Sequence, residues 1–483
     1  MVGITSYGVY IPRYRLNRKT IFSQMGWFNS ATAGLAKGEK AVANNDEDSI
    51  TMSVAASFNC LQGFERDIID GIYLASISMP YANRQNASIV STALDCKPGI
   101  RSIDFGASLK SGTSALISAA EAVKASDKKA ILVSASDCRK AKIGGNQEMI
   151  LGDGAASFLM GTENVIAALL DSYSVSYDFV DLRRNTAEQF DQSWEDRWIR
   201  EEGYLKIIPE AISGILKKNN WKITDFSKIV IPVYAKNIVD ALARKIGADK
   251  SQLQSNLFEL IGDTGTSYPF ILLAAALEEA KPGDKILVAS FGGGSDVLCF
   301  EVTDAIEQFQ SRKGVKYYLD NKEELTSYMK YLVFRNMVPV EVGIRGAVVA
   351  NTSISLVWRD RREIYGLCGS KCRACETPQY PYQEVCVNPD CGAVEQMDYY
   401  RFSDKKGKII SYTGDYLAFS FNPPAVYGFI DFDGGGRFFF DYTDCQLEDI
   451  KVGMPVEMSF RKKYSDAERA IEGYGWKAVP VKE

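Results

Sequence analysis

Four cysteines in the segment CRACETPQYPYQEVCVNPDC have the spacing of a metal site. Cys372 and Cys375 form a C-x2-C pair, and ten residues later Cys386 and Cys391 form a C-x4-C pair. A C-x2-C turn aims two thiolates at one ion, and four thiolates close the tetrahedron of a structural zinc site. Iron in a rubredoxin-like site is the alternative metal. A disulfide or redox pair is the weaker reading, because a reducing cytosol disfavours disulfides and no thioredoxin-like setting surrounds the motif. Cys368 falls outside the paired pattern and reads as structural. The rest of the inventory is restrictive in another way. The chain has no histidine, so no Ser-His, Cys-His or His-metal arrangement can be built within it.

The elements that must position these groups belong to a chain of 483 residues, 46% hydrophobic and 24% charged. At roughly 100–200 residues per domain, that length predicts two to four domains. The formal net charge of −5 excludes a generally basic nucleic-acid binder. The start, MVGITSYGVYIPRYRL, lacks a basic segment followed by a long apolar stretch, which argues against a secretory signal. No apolar run approaches the ~18–20 residues that span a bilayer. A soluble cytoplasmic protein without membrane contact is expected. The scattered cysteines Cys60, Cys96, Cys138, Cys299 and Cys445 read as small hydrophobes, as in DVLCFEV around Cys299.

Two stretches of the first three hundred residues resemble one another. Residues 111–137 read SGTSALISAAEAVKASDKKAILVSASD, and residues 264–292 read TGTSYPFILLAAALEEAKPGDKILVASFG. Each opens on Gly-Thr-Ser, continues with an Ala/Leu-rich segment of helical length, and passes through a polar turn into an apolar strand. The small opening residues suit a tight entry into a helix. ILVSAS and ILVASF are continuous apolar runs, as expected where both faces of a sheet are covered. A duplicated α/β architecture is the reading. VTDAIEQFQSRKG and NKEELTSYMKYLVFRN are predicted as helices that follow it.

After Trp358 the composition shifts to Cys, Tyr, Phe, Gly and Asp. KIISYT, YLAFSF, AVYGFIDF, RFFFDYTD and PVEMSF read as short strands broken by turns, which predicts a small β-barrel or sandwich. Phe419, Phe421, Tyr427, Phe429, Phe438, Phe439 and Phe440 are expected to fill its core. Stacking of nucleic-acid bases on them is the alternative, opposed by Asp415, Asp431, Asp433 and Asp441, which would repel phosphates. The expected organisation is an α/β half over 1–165, a second half over 166–335, a linker with a helix over 336–365, a zinc ribbon over 366–396, and a barrel with a tail over 397–483.

The first unit resembles the hydroxymethylglutaryl-CoA synthase branch of the thiolase superfamily. The resemblance rests on GITSYGVYIPRYRL, IYLASISMPYANRQNASIVSTAL, LKSGTSAL and IGDTGTSYPFILLAAALEEAKPGDKILVASFGGGSD. The second unit, through VWRDRREIYGLCGSKCRACETPQYPYQEVC, resembles the zinc-ribbon/OB-fold family found as partners of thiolases and archaeal-type synthases. The implied fold is a duplicated five-layered α/β/α/β/α sandwich followed by a zinc ribbon and a small OB-type barrel.

Synthases of this branch condense coenzyme A thioesters with a cysteine nucleophile, a glutamate and a histidine. The resemblance puts Leu109 at the cysteine position, Ile77 at the glutamate position and Pro232 at or next to the histidine position. Asp263 replaces the asparagine of a GNT-type motif. Gly292, Gly293, Gly294 and Ser295 match a loop whose backbone helps form an oxyanion hole; a tight turn between two strands is the alternative role. Ser108 is the one rescue nucleophile, although a serine needs a base; its alternative role is a helix cap. Lys110 reads as solvent-facing or fold-supporting.

The resemblance therefore implies a catalytically silent thiolase-fold subunit. It would assemble, as a homo- or hetero-oligomer, with a separate active thiolase and help form its CoA or acyl channel. The alternative is an active acyltransferase using Ser108, Asp263 or a lysine. Zinc is the expected structural cofactor, a coenzyme A thioester the implied ligand, and nucleic acid is not an expected partner.

Overall fold

The strands ILVSAS and ILVASF are buried throughout because each of their faces meets a different helical layer. In the computed structural model, which describes residues 1–125, 129–185, 187–309, 313–346 and 353–481, the chain divides into two units. Unit one is Met1–Ala43, Asp48–Ser88 and Lys97–Arg335; unit two is Asn44–Glu47, Ile89–Cys96 and Asn336–Glu483.

Unit one contains β1 (Gly3–Tyr10), β2 (Ile69–Ala75), β3 (Arg101–Phe105), β4 (Ala130–Asp137), β5 (Gly154–Gly161), β6 (Ala167–Ser176), β7 (Lys228–Val230), β8 (Lys285–Phe291) and β9 (Gly294–Val302). They form one nine-stranded sheet in the order β7-β8-β9-β6-β1-β5-β4-β2-β3. Its seam is narrow, since β1 and β6 share only the pairs Gly3↔Ala168 and Ile4↔Ala167. On either side of the seam the ladders repeat. β2 runs parallel to β4, β4 antiparallel to β5, and β5 antiparallel to β1. Likewise β7 runs parallel to β8, β8 antiparallel to β9, and β9 antiparallel to β6. The duplication read from the sequence is thus present in the hydrogen bonding itself.

Five helices of unit one form the layers: α1 (Ser49–Cys60), α2 (Ser111–Ala125), α3 (Leu205–Asn219), α4 (Lys236–Ile246) and α5 (Tyr268–Glu279). Every residue of α5 from Tyr268 to Leu277 is buried, as required of a helix apolar all round. It shares one core with α2 and with strand residues from both halves, including Val133, Phe158, Ile286 and Val288. Leu287 and Ala289, alternating with those last two, point into a second core with α3 and α4. On the far side α1 packs over β1, β4 and β5. The succession α1, strands, α2 with α5, strands, α3 with α4 gives five layers. The helix predicted for residues 302–314 is instead a single 3-10 stretch, Asp304–Gln308, with residues 310–312 outside the described set. The following segment yields only the short helix Tyr328–Phe334.

Unit two holds a three-stranded sheet of β10 (Cys368–Cys372), β11 (Pro378–Gln379) and β12 (Met397–Arg401) in the order β11-β10-β12. Its barrel comprises β13 (Gly407–Asp415), β14 (Ala425–Phe432), β15 (Arg437–Asp441), β16 (Pro455–Asp466) and β17 (Ile471–Pro480), ordered β15-β14-β13-β16-β17. A bridge between Tyr442 and Ala478 closes the ring. Ile409, Ile430, Phe432, Phe440, Phe460 and Trp476 are its buried hydrophobic residues. The expectation that all the aromatics fill this core is corrected here. Phe421, Phe429 and Phe439 are exposed, because strand alternation sends Phe439 outward when Phe440 points in. The linker expected over 336–365 contains Ile354–Arg359 and Arg361–Ile364 as short helices, and its residues 347–352 lie outside the described set.

Unit two also buries a charge cluster. Arg461, 2% exposed, reaches Asp46 (3.3 Å), Glu47 (2.6 Å) and Asp444 (2.5 Å). Lys477 lies 2.9 Å from Asp46, and Thr443 donates a hydrogen bond to the same carboxylate. Burial pushes the Asp46 carboxyl upward, but Lys477 and Arg461 outweigh it and hold the group at about 2. Among the described residues, no helix is long and apolar enough to cross a membrane.

Candidate functional site

The turn between β3 and α2 carries Ala107, Ser108, Leu109 and Lys110. Ala107 has φ 65°, so the chain turns sharply before the helix starts at Ser111. The Ser108 hydroxyl donates to the carbonyl of Gly292 (2.7 Å) and accepts from the Lys110 N–H (3.2 Å). Gly292 is required here by close approach. A Cβ on it would lie 2.7 Å from Ser108 Oγ, 2.8 Å from Lys110 N and 2.9 Å from Leu109 N. A Cβ on Gly294 would lie 2.2 Å from the Val175 carbonyl oxygen. The glycine loop therefore clamps the turn, and Ser295, donating to the Ser290 carbonyl (2.7 Å), closes the hairpin.

Lys110 belongs to the same clamp. Its ammonium lies 3.0 Å from Asp296, a buried carboxylate that also accepts from Thr113 (3.1 Å), Ser114 (2.6 Å) and Ser174 (2.7 Å). Of the two roles expected for Lys110, fold support fits this geometry. Nothing in the local pattern announces Asp296 as a hub; the one available signal is an acid next to the apolar run VLCF.

Leu109, Pro232 and Asp263 line a single cavity together with Tyr204, Tyr234, Tyr268, Pro269, Ser290, Phe291 and Gly265. Its volume is about 20 Å³, room for roughly one water molecule. Ile77 is not part of its wall. The Ile77 N–H donates to Asp137 (2.9 Å), and its carbonyl accepts from Arg184.

The ionisable groups around this cavity are engaged. Asp263 pairs with Arg139 at 2.9 Å and accepts the Gly265 N–H at 2.8 Å. Burial works against the Arg139 charge, but Asp263, Asp137 and Asp191 together raise its pKa. Burial, with Asp181 and Asp263 nearby, holds the Tyr204 phenol well above its ordinary value. Burial pushes Tyr234 up to about 12, helped by Asp196 and Asp263. Both phenols are held in their protonated form at neutral pH and are poorly suited to act as bases. No cysteine lines the cavity. Burial pushes Cys60 and Cys138 up to about 12 and raises Cys299 further, so these thiols are poor nucleophiles. Arg139, Asp137 and Asp296 were not identifiable from sequence, since their partners are distant along the chain.

In unit two, the Sγ atoms of Cys372, Cys375, Cys386 and Cys391 all lie within 4.8 Å of one another. Cys372 and Cys391 are 3.8 Å apart, and Cys375 and Cys386 3.5 Å. A tetrahedral ion with metal–sulfur bonds of about 2.3 Å requires sulfur–sulfur edges of about 3.8 Å, so the donor set fits such an ion. The separations are too long for disulfide bonds. Cys368 is buried outside the group, with its thiol near the Gly366 carbonyl.

The chain is similar to known proteins in both units. Residues 400–461 match the family described as ChsH2, C-terminal OB-fold domain, and residues 216–302 that described as 3-oxoacyl-[acyl-carrier-protein (ACP)] synthase III C terminal. A hydroxymethylglutaryl-CoA synthase of Methanopyrus kandleri is 30% identical over 332 residues, 67% of this chain and 95% of the relative. That of Methanothermobacter thermautotrophicus is 32% identical over 341 residues, 69% of this chain and 98% of the relative. Among solved structures, an HMG-CoA synthase complexed with CoA aligns with TM-score 0.63 and 22% identity, covering 73% of this chain and 94% of the other. A 3-oxoacyl-[acyl-carrier-protein] synthase III from Aquifex aeolicus aligns with TM-score 0.56 and 20% identity, covering 62% of this chain and 100% of the other. The fold of unit one is thiolase-like, and unit two carries an OB-fold domain.

Proposed function

The chain belongs to the hydroxymethylglutaryl-CoA synthase family, and from that premise we propose that it is a catalytically silent subunit. It assembles with a separate acyl-CoA-condensing thiolase and contributes to that partner's CoA or acyl channel. The observation that carries this reading is the cavity at the family's reaction centre. Hydrocarbon from Leu109 and Pro232 occupies two of the positions where chemistry is expected, and the space left admits about one water molecule. A thioester carbonyl and a second acyl group need far more room. Condensation also needs a nucleophile and a proton carrier; the first is Leu109 here, and no imidazole exists in the chain.

Ser108 gains little support as a substitute. Its proton is committed to the Gly292 carbonyl, and neither contact of its oxygen is to a carboxylate or an amine. Asp263, held by Arg139 and the Gly265 N–H, reads as part of the wall rather than as a base. Gly292, Gly293, Gly294 and Ser295 keep the hairpin closed on the inert turn, which favours their structural role over an oxyanion hole.

The four cysteines bind a structural zinc ion: Cys372 and Cys375 from the end of β10 and its turn, Cys386 and Cys391 from the second pair. The ion fixes the small ribbon, whose own apolar core is too slight to do so. A cytoplasmic setting suits four reduced thiolates. The OB-fold match to a ChsH2-type domain is the support for a partner-subunit role.

The test is co-expression with the condensing thiolase of the same genome that keeps its cysteine and histidine. The expected result is a stable complex, with turnover of acyl-CoA by the complex and none by this chain alone. A covalent acyl adduct trapped on the isolated chain would overturn the reading.

A further inference from the structure

Lys40 occupies a position that its strand otherwise gives to apolar side chains. The short strand Glu39–Val42 pairs antiparallel with Tyr14–Asn17, so that Lys40 stands opposite Leu16 and Val42 opposite Tyr14. Strand alternation puts these four side chains on one face, and all four are buried, Lys40 at 3% exposure. Among the described residues Lys40 has no ion pair. Its Nζ lies 2.6 Å from the Glu148 carbonyl oxygen, 3.4 Å from the Tyr331 hydroxyl and 4.9 Å from the centre of the Tyr331 ring. An ammonium has three protons to place and here meets two oxygens. A neutral amine fits better, since it donates to the carbonyl and accepts the phenol proton, which burial keeps on Tyr331.

Tyr331 arrives on a strap. Residues 323–335 close unit one, whose last residue is Arg335. Glu323 and Glu324 run parallel to Tyr14 and Arg15, and the short helix Tyr328–Phe334 follows. Apolar contacts such as Phe334 on Tyr14 hold the strap, and polar ties supplement them. The Tyr328 hydroxyl donates to the Glu148 carboxylate at 2.9 Å, and Arg335 reaches Asp153 at 3.0 Å. Arg335 also donates to Cys138 Sγ at 2.6 Å, so that thiol touches the end of the strap. Burial is the largest influence on the Lys40 amine and lowers it to about 7; Glu148 and Asp153 act against the shift, Arg335 and Arg18 with it. Burial also raises the Glu148 carboxyl and the Tyr328 phenol, and pushes the Cys138 thiol up to about 12.

We propose that Lys40 is a proton-operated catch for this strap: the neutral amine holds residues 323–335 against unit one, and a proton taken from solvent releases them. Lifting Tyr331 gives the new charge access to water while the large sheet stays paired, so the opening is local rather than global. The catch works whether or not the chain is a silent subunit. The folded value, about 7, lies below the ordinary 10.5. An opened strap therefore binds more protons between these values. Docking strengthens as pH rises through that window and is weakest below about 7.

The test follows thiol labelling of the full chain at pH 7, 8 and 9, with peptide mass spectrometry reading Cys138 and Cys299 separately. Each rate is divided by that of the chain unfolded in guanidinium at the same pH, which removes the intrinsic pH dependence of thiols. The opened fraction read at Cys138 should be about fiftyfold larger at pH 7 than at pH 9. Cys299, buried in β9, should react about tenfold or more slower than Cys138 at each pH, as expected when the strap opens without the sheet. In Lys40→Met and Lys40→Gln the difference between pH 7 and pH 9 should disappear. Equal Cys138 values at the two pH extremes in wild type overturn the proposal. So does equal labelling of Cys138 and Cys299, which marks opening of the whole unit. A pH dependence that persists in a folded Lys40 variant assigns the catch to another group and overturns it as well. The wild-type comparison needs no substitution and decides the matter where a variant fails to fold.

Discussion

The hydroxyl of Ser108 donates its proton to the carbonyl oxygen of Gly292 at 2.7 Å, across 184 residues of chain. A hydroxyl used in this way ties a turn to a loop; it is not poised for attack. Replacing Ser108 by alanine should therefore cost about 1 kcal/mol of stability, the worth of one hydrogen bond. It should leave thioester turnover by the complex with the condensing thiolase unchanged. Urea unfolding and a CoA-release assay on the same samples separate the two effects. Loss of turnover with stability intact would mark Ser108 as the nucleophile after all.

Restoring a thiol where the family has one is not expected to restore chemistry. In L109C the sulfur would sit in the turn just before α2, where the helix amino terminus favours the thiolate. Iodoacetamide should label position 109 faster than Cys60 or Cys299, both buried and raised in pKa. Peptide mass spectrometry reads this directly. No condensation should follow, because the proline at 232 cannot carry a proton.

Arg139 answers three carboxylates, those of Asp263, Asp137 and Asp191, whereas Asp263 answers Arg139 and a backbone N–H. Arg139→Met should accordingly destabilise the fold by about 3–5 kcal/mol, the usual cost of stranding buried charge. Asp263→Asn should cost less, since two acids still face the arginine. Equal midpoints for the two variants in denaturant titration would contradict this ordering.

Acid should weaken unit two through Asp46. Its folded pKa, about 2, lies below the ordinary carboxyl value of 3.8. The folded state thus binds fewer protons than the unfolded chain between these values, and stability falls as pH drops from about 4 toward 2. The contribution present at neutral pH is about 2 kcal/mol. Lys477→Met removes a cation that holds the group down, so acid unfolding followed by tryptophan fluorescence should begin at a higher pH.

Metal removal should act on a short stretch. Purified chain should carry one zinc ion, released to a colorimetric chelator only after the thiols are modified. C375S/C391S should purify without it. Hydrogen exchange is expected to lose protection across residues 366–396 while the strands β4 and β8 keep theirs.

The parts of this fold legible in the sequence are those written in local pattern. The paired ILVSAS and ILVASF strands, the Ala-rich helices before them and the C-x2-C turn each sit within about thirty residues, and the repeated ladders follow. The hidden parts depend on distance or parity. Arg461 meets Asp46 across 415 residues, and Arg139 meets Asp263 across 124; no window of sequence contains either pair. The run RFFFD has three phenylalanines in succession, so alternation alone gives no phase. Only the pairing Phe429↔Phe439 reveals which ring faces water.

Asn44–Glu47 belongs to unit two although the chain on both sides of it belongs to unit one. Scissors applied after Arg335 would consequently not release two finished pieces. The amino-terminal fragment would keep Asp46 and Glu47 while losing the arginine and lysine that neutralise them. Separating these modules into independent genes, in the laboratory or over evolutionary time, demands a fresh counter-ion for those two acids or their replacement by uncharged side chains.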